Sequence, residues 1–211
     1  MKTFNHYYPI NIPQGILFYP CVGLDIIDPL VLFSSNIKEF HFADLLPFPL
    51  SQLTNVSPIS DIKTLNQTYI DEDIYQVNLR IHNRNITVYW HQNDAIKVLE
   101  KVNNISVFFY RGDSIAGGGS GIYWLGKDLF PKVLSKLVDG GLIVTYGSNP
   151  DENYKFHPWK ELYLHSQLGH FSDNQVIKPN NFTYNNRYFT CLGPLGERYG
   201  TVYAWKVDVI D

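Results

Sequence analysis

Residues 105–149 read ISVFFYRGDSIAGGGSGIYWLGKDLFPKVLSKLVDGGLIVTYGSN. The apolar, aromatic run at 105–111 predicts a buried strand, and the polar, glycine-dense stretch that follows predicts a loop at its end. In 128–139, Leu129, Phe130, Val133, Leu134 and Leu137 recur at helical spacing, with Pro131 in the first turn, where proline is tolerated. Gly140-Gly141 then predicts the helix stop, and a second apolar strand follows at 142–146. A strand–loop–helix–strand unit of this kind belongs to an open α/β sheet. Such sheets bind ligands outside the carboxyl ends of their strands, so the glycine-dense loop marks the edge to search.

The rest of the chain fits that reading. Its 211 residues suffice for one sizeable α/β domain, with 1–15 as an N-terminal extension and 150–180 as a lid or insertion. Hydrophobic residues make up 45% and charged residues 18%, a globular balance. A net charge of −3 and the lack of a Lys/Arg cluster argue against a nucleic-acid partner. No apolar run approaches the ~20 residues that span a bilayer. MKTFNHYYPINIPQG at the N-terminus lacks a signal-peptide core, so the expectation is a cytoplasmic protein. Cys21 and Cys191 lie in apolar runs and read as buried thiols. The sequons at Asn55, Asn66, Asn85, Asn104 and Asn181 read as chance in an Asn-rich chain.

ILFYPC at 16–21 predicts a strand. Asp28-Pro29 predicts the next helix start, with Asp28 as N-cap, and EFHFADLLPF a second strand ending near Asp44. Residues 46–68 read as a loop with one short helix. YQVNLRIH and ITVYWHQ around Asn83-Arg84-Asn85 predict a hairpin, and NDAIKVLEKV a short helix capped by Asn93 or Asp94. YFTCLGP and TVYAWKV predict a terminal antiparallel hairpin.

Several residues stand where chemistry would be done. In the first βα turn, Tyr19-Pro20-Cys21-Val22-Gly23-Leu24-Asp25, Gly23 permits close approach of a ligand, but the three-glycine dinucleotide fingerprint is absent. Asp44 ends the second strand; a carboxylate there can accept from both ribose hydroxyls or can serve as a cap. Asp94, followed by Ala95, is either a helix cap or a ligand contact one strand on.

This order of elements resembles the class I S-adenosylmethionine-dependent methyltransferases, with a degenerate glycine motif. The resemblance implies a seven-stranded, mostly parallel sheet with helices on both faces and a C-terminal antiparallel hairpin. It implies S-adenosylmethionine as cofactor and a small molecule or a protein as methyl acceptor. The turn with Tyr19, Pro20, Gly23 and Asp25 would meet the methionine end, Asp44 the ribose, and Asp94-Ala95 the adenine. The loop opening at Arg111 would border the transferred methyl. There Asp113 would orient or deprotonate the acceptor, and Tyr123 and Trp124 would wall the acceptor pocket or pack the core. The alternative is a non-catalytic domain of the same fold that binds a nucleoside-like ligand or a protein partner.

A third reading takes Gly112-Asp113-Ser114-Ile115 as the nucleophile block of a GDS-type serine hydrolase. Ser120 does not fit the nucleophile turn, and no Asp-x-x-His occurs in the chain to complete a triad. His157, His165 and His170 cluster in sequence, but their spacing matches no standard zinc pattern, and no metal is expected.

Overall fold

A computed structural model of the chain describes residues 2–53, 62–111, 122, 124–126, 128–145, 181–195 and 202–210. Two compact units are distinguished, Met1–Ile105 and Ser106–Asp211. The expected lid at 150–180, the glycine-dense loop and the three-histidine cluster lie outside the described residues.

The first unit contains α1 (Phe4–Tyr7), β1 (Ile16–Pro20), α2 (Ile27–Phe33), β2 (Glu39–Asp44), β3 (Ile62–Asp71), β4 (Ile74–Ile81), β5 (Arg84–Gln92) and α3 (Ala95–Lys101). Its strand order is β3-β4-β5-β2-β1. β2 pairs parallel with both β1 and β5, while β4 pairs antiparallel with β5 and with β3. Period-two alternation sorts the side chains. Leu17, Phe40, Val88 and Val77 stand opposite one another on the apolar face. One step up, Tyr19, Phe42, Trp90, Tyr75 and Tyr69 make an aromatic row across all five strands. Tyr19–Phe42 and Tyr69–Tyr75 ring centroids are 6.1 and 4.8 Å apart. Much of the chain's aromatic content thus goes into cross-strand packing.

Three expectations are corrected in this unit. The loop of 46–68 gives way at Ile62 to a ten-residue strand, β3, whose sequence IKTLNQTYID is too polar to show the alternation of a half-buried strand. The β4–β5 turn is His82-Asn83 rather than Asn83-Arg84-Asn85, and both residues have positive φ, +47° and +64°, as a two-residue hairpin requires. Asp28 does not cap α2. The helix starts at Ile27, and Asp28 lies buried in its first turn, where a negative charge still favours the helix end. Asp94 does cap α3, its carboxylate accepting from the Ile96 N–H at 2.8 Å.

The second unit contains β6 (Ile105–Tyr110), which starts at the boundary, then α4 (Phe130–Lys136), β7 (Leu137–Thr145), β8 (Phe182–Tyr184), β9 (Arg187–Leu195) and β10 (Val202–Val209). The order is β6-β7-β10-β9-β8, and the terminal hairpin of β9 and β10 forms as expected. β10 is also antiparallel to β7, and β8 to β9. The described strands therefore number ten, not seven, in a mixed arrangement whose pairings are mostly antiparallel, not mostly parallel. The excess comes from β3, β4 and β8, which the resemblance did not imply.

The helix expected over 128–139 ends at Lys136. Leu137 leaves the helical region, and Arg187 donates from Nη2 to the carbonyls of Leu134 and Leu137 at 3.1 and 3.2 Å, tying β9 to the end of the helix. Gly140 and Gly141 do not stop a helix; both lie inside β7. Gly140 has φ +71°, and a Cβ on Gly141 would stand 2.9 Å from the Val138 carbonyl oxygen and 3.0 Å from Leu137 Cγ. Gly141→Ala should therefore lower unfolding stability by about 1–3 kcal/mol. An urea midpoint equal to wild type would contradict this.

Candidate functional site at the carboxyl edge of the first unit

β1 and β2 run parallel, so their carboxyl ends lie side by side and the first βα turn folds over Asp44. The Gly23 N–H donates to Asp44 Oδ2 at 2.7 Å, and the Leu46 N–H donates to Oδ1 at 2.9 Å. Two N–H donors on one carboxylate leave half of its roughly four lone-pair sites for a ligand. Asp44 is only half-buried, so those sites can be reached. Gly23 has φ +55° and nothing within 4 Å of where a Cβ would be, so there is open space beside it. Cys21 also has positive φ, +52°, which places two left-handed residues in one short turn. Leu24 and Leu45, each next in sequence to one end of the Gly23–Asp44 bond, are exposed.

Tyr19 and Asp25 meet: the phenol donates to Asp25 Oδ2 at 3.2 Å. Pro20 ends β1, buried. The structure thus brings Tyr19, Pro20, Gly23, Asp25 and Asp44 into one turn and strand-end cluster. Asp94 lies at the end of β5 but spends Oδ1 on the cap of α3, and Ala95 is buried behind it. The cap reading of Asp94 is the one with a visible partner.

In the second unit Arg111 is buried, its guanidinium 6.0 Å from the Phe109 ring centre. Trp124 is fully buried against Phe108, with ring centroids 6.1 Å apart, which is a core role. Asp113, Ser114, Ser120 and Tyr123 lie outside the described residues. Among the described residues, no group of three or more His, Cys, Asp or Glu is arranged to hold a metal ion, and no helix is long and apolar enough to cross a membrane.

One cluster was not anticipated. On the polar face of β2 and β5, His41 Nε2 lies 2.7 Å from Glu39 Oε1, and His41 Nδ1 lies 2.9 Å from His91 Nε2. A carboxylate only accepts, so His41 carries its hydrogen on Nε2 and accepts on Nδ1 from His91 Nε2–H. The two ring planes are 18° from parallel, with centroids 5.1 Å apart. The signal in the sequence was one histidine on each of two strands, too dispersed to read without the pairing register.

Burial, reinforced by positive charge at His41 and Lys101, holds His91 down to about 4. Burial also lowers His41, against the raising effect of Glu39. Both therefore favour the neutral form in the folded state, whereas in the unfolded chain they protonate near 6.5. The stability tied to this pair is complete above pH 6.5 and is lost as pH falls towards about 4. Thermal melting should show a drop between pH 7 and 5 that shrinks in His91→Gln; an unchanged slope in that variant would sink the assignment.

The parallel strands and βα turn of the first unit and the antiparallel hairpin of the second are the features of an α/β protein. Among solved structures, the chain is similar in fold to the following. Trm1 from Pyrococcus horikoshii, solved with S-adenosyl-L-methionine, superposes with a TM-score of 0.50 over 93% of this chain and 51% of that one, at 10% identity. A rRNA methylase from Streptococcus thermophilus gives 0.45 over 99% and 94%, at 11% identity. At 10% identity the likeness to Trm1 is one of fold alone. In sequence, a protein of Acanthamoeba polyphaga mimivirus named as an ankyrin repeat protein, L484, is 30% identical over 132 residues, 63% of this chain. The chain spans only 6% of the length of that relative. No protein-family model matches the chain.

Proposed function

We propose that the chain binds S-adenosylmethionine at the carboxyl edge of its first unit and transfers the methyl group to a small molecule or a protein. The observation that carries the reading is the Gly23–Asp44 bond at 2.7 Å, which ties the first βα turn to a strand-end carboxylate with acceptor capacity to spare. Asp44 takes the ribose hydroxyls. The open space beside Gly23 admits the methionine end, where Tyr19 and Asp25 supply a phenol and a carboxylate. Asp94-Ala95 borders the adenine through its backbone, with the Asp94 carboxylate retained by α3. The cofactor, once bound, supplies an activated methyl on a sulfonium. Alignment of the acceptor's O–H or N–H with that methyl does most of the remaining work. A net charge of −3 favours a small-molecule or protein acceptor over nucleic acid.

Titration calorimetry with S-adenosylmethionine and S-adenosylhomocysteine tests this. Binding of both below about 1 mM is the expected result. No heat with either ligand removes the reading. Binding without transfer to any acceptor would support a non-catalytic nucleoside-binding domain instead.

A further inference from the structure

We propose that β3 is the contact surface for a second copy of this chain, the two β3 strands pairing antiparallel about a two-fold axis at Gln67. β3 ends the strand order of the first unit, and every residue of Lys63–Asp71 is exposed. Tyr69 at 73%, Ile70 at 54% and Leu65 at 46% are large apolar groups on this outer strand. A long exposed edge strand with unpaired backbone groups is a template for another strand.

The register on β4 selects the occupant. Lys63 stands opposite Arg80, Gln67 opposite Val77 and Asp71 opposite Ile74. Lys63 and Asp71 therefore lie three β4 positions to either side of Gln67. An irregularity falls within each half, between Thr64 and Asn66 and between Tyr69 and Asp71. In ladder terms Lys63 and Asp71 are equidistant from Gln67 and share a face. A second β3 laid antiparallel about that point sets each Lys63 against the other copy's Asp71. The same operation sets Thr64 of one copy against Tyr69 of the other and places Leu65 beside that Tyr69, so opposite charge meets opposite charge and one apolar contact is added. The contact is isologous, so it closes at two copies and does not propagate. A single added strand pair lies at the small end of stable interfaces, which predicts a dimer in the micromolar range.

Sedimentation equilibrium of the whole chain from about 1 to 500 µM tests this. The expected result is a monomer–dimer equilibrium. K63E and D71K should each weaken dimerisation by about 5- to 30-fold, and K63E/D71K should restore it. Gln67→Cys should give a disulfide-linked dimer on mild oxidation well beyond the wild-type background, since the axis brings residue 67 against itself. All four variants change exposed positions, and circular dichroism checks that they fold. A chain that stays monomeric throughout overturns the proposal. So does a dimer indifferent to both charge reversals, which would seat the second copy elsewhere.

Discussion

Asp44→Ala should reduce S-adenosylmethionine affinity by about 10²-fold or more, because two charge-assisted hydrogen bonds to the ribose, at about 1.5–3 kcal/mol each, leave together. The substitution also has a cost without ligand. Oδ2 accepts from the Gly23 N–H and Oδ1 from the Leu46 N–H, so alanine strands two backbone donors at a half-buried turn. Unfolding stability should fall by about 1–3 kcal/mol for that reason alone. Asp44→Asn separates the two effects. Its single acceptor oxygen keeps one of the N–H contacts, so stability should recover in part, while affinity stays at least about tenfold below wild type because the charge is gone. Asp94→Ala is the control at the neighbouring strand end. It removes the cap on Ile96 N–H and should cost about 1 kcal/mol of stability with little change in affinity. Calorimetry and thermal melting on the three variants decide the matter. Wild-type affinity in Asp44→Ala would remove Asp44 from the site.

The outcome also shows which parts of this protein its sequence makes legible. β1, β2, β5, α3 and the terminal hairpin are readable because each is an apolar run or an alternation bounded by a turn signal, and burial enforces both patterns. β3 escapes because it is exposed on both sides, so its composition is under no such constraint. The end of α4 escapes for another reason. Gly140-Gly141 is a normal helix stop, but here Gly141 answers a close approach to the Val138 carbonyl and Gly140 a positive φ within β7, neither of which a local pattern can encode. At the site, Asp44 is readable from its position at a strand end, and so is the cap at Asp94. The Gly23 N–H that binds Asp44 across 21 positions is a product of parallel pairing, and Glu39–His41–His91 depends on the β2–β5 register.

Trp90 links that core to the candidate site, and its replacement should have the largest effect on stability. The side chain is 1% exposed in the aromatic row, packs edge-on to Phe48 at 5.5 Å, and donates from Nε1 to the Leu46 carbonyl at 3.0 Å. Trp90→Ala leaves a cavity between Phe42 and Tyr75 and should cost about 3–5 kcal/mol. For a chain of this size that lowers Tm by about 10 °C or more. Trp90→Phe fills most of the space but gives up the indole N–H, for about 1–2 kcal/mol. Its second consequence is the informative one. Leu46 uses its carbonyl on Trp90 and its N–H on Asp44, so the indole fixes one of the two donors that orient the carboxylate. Trp90→Phe should therefore weaken S-adenosylmethionine binding at the proposed site several-fold, although the residue itself is buried. A variant that melts lower yet binds as tightly as wild type would show that Asp44 holds its pose through Gly23 alone.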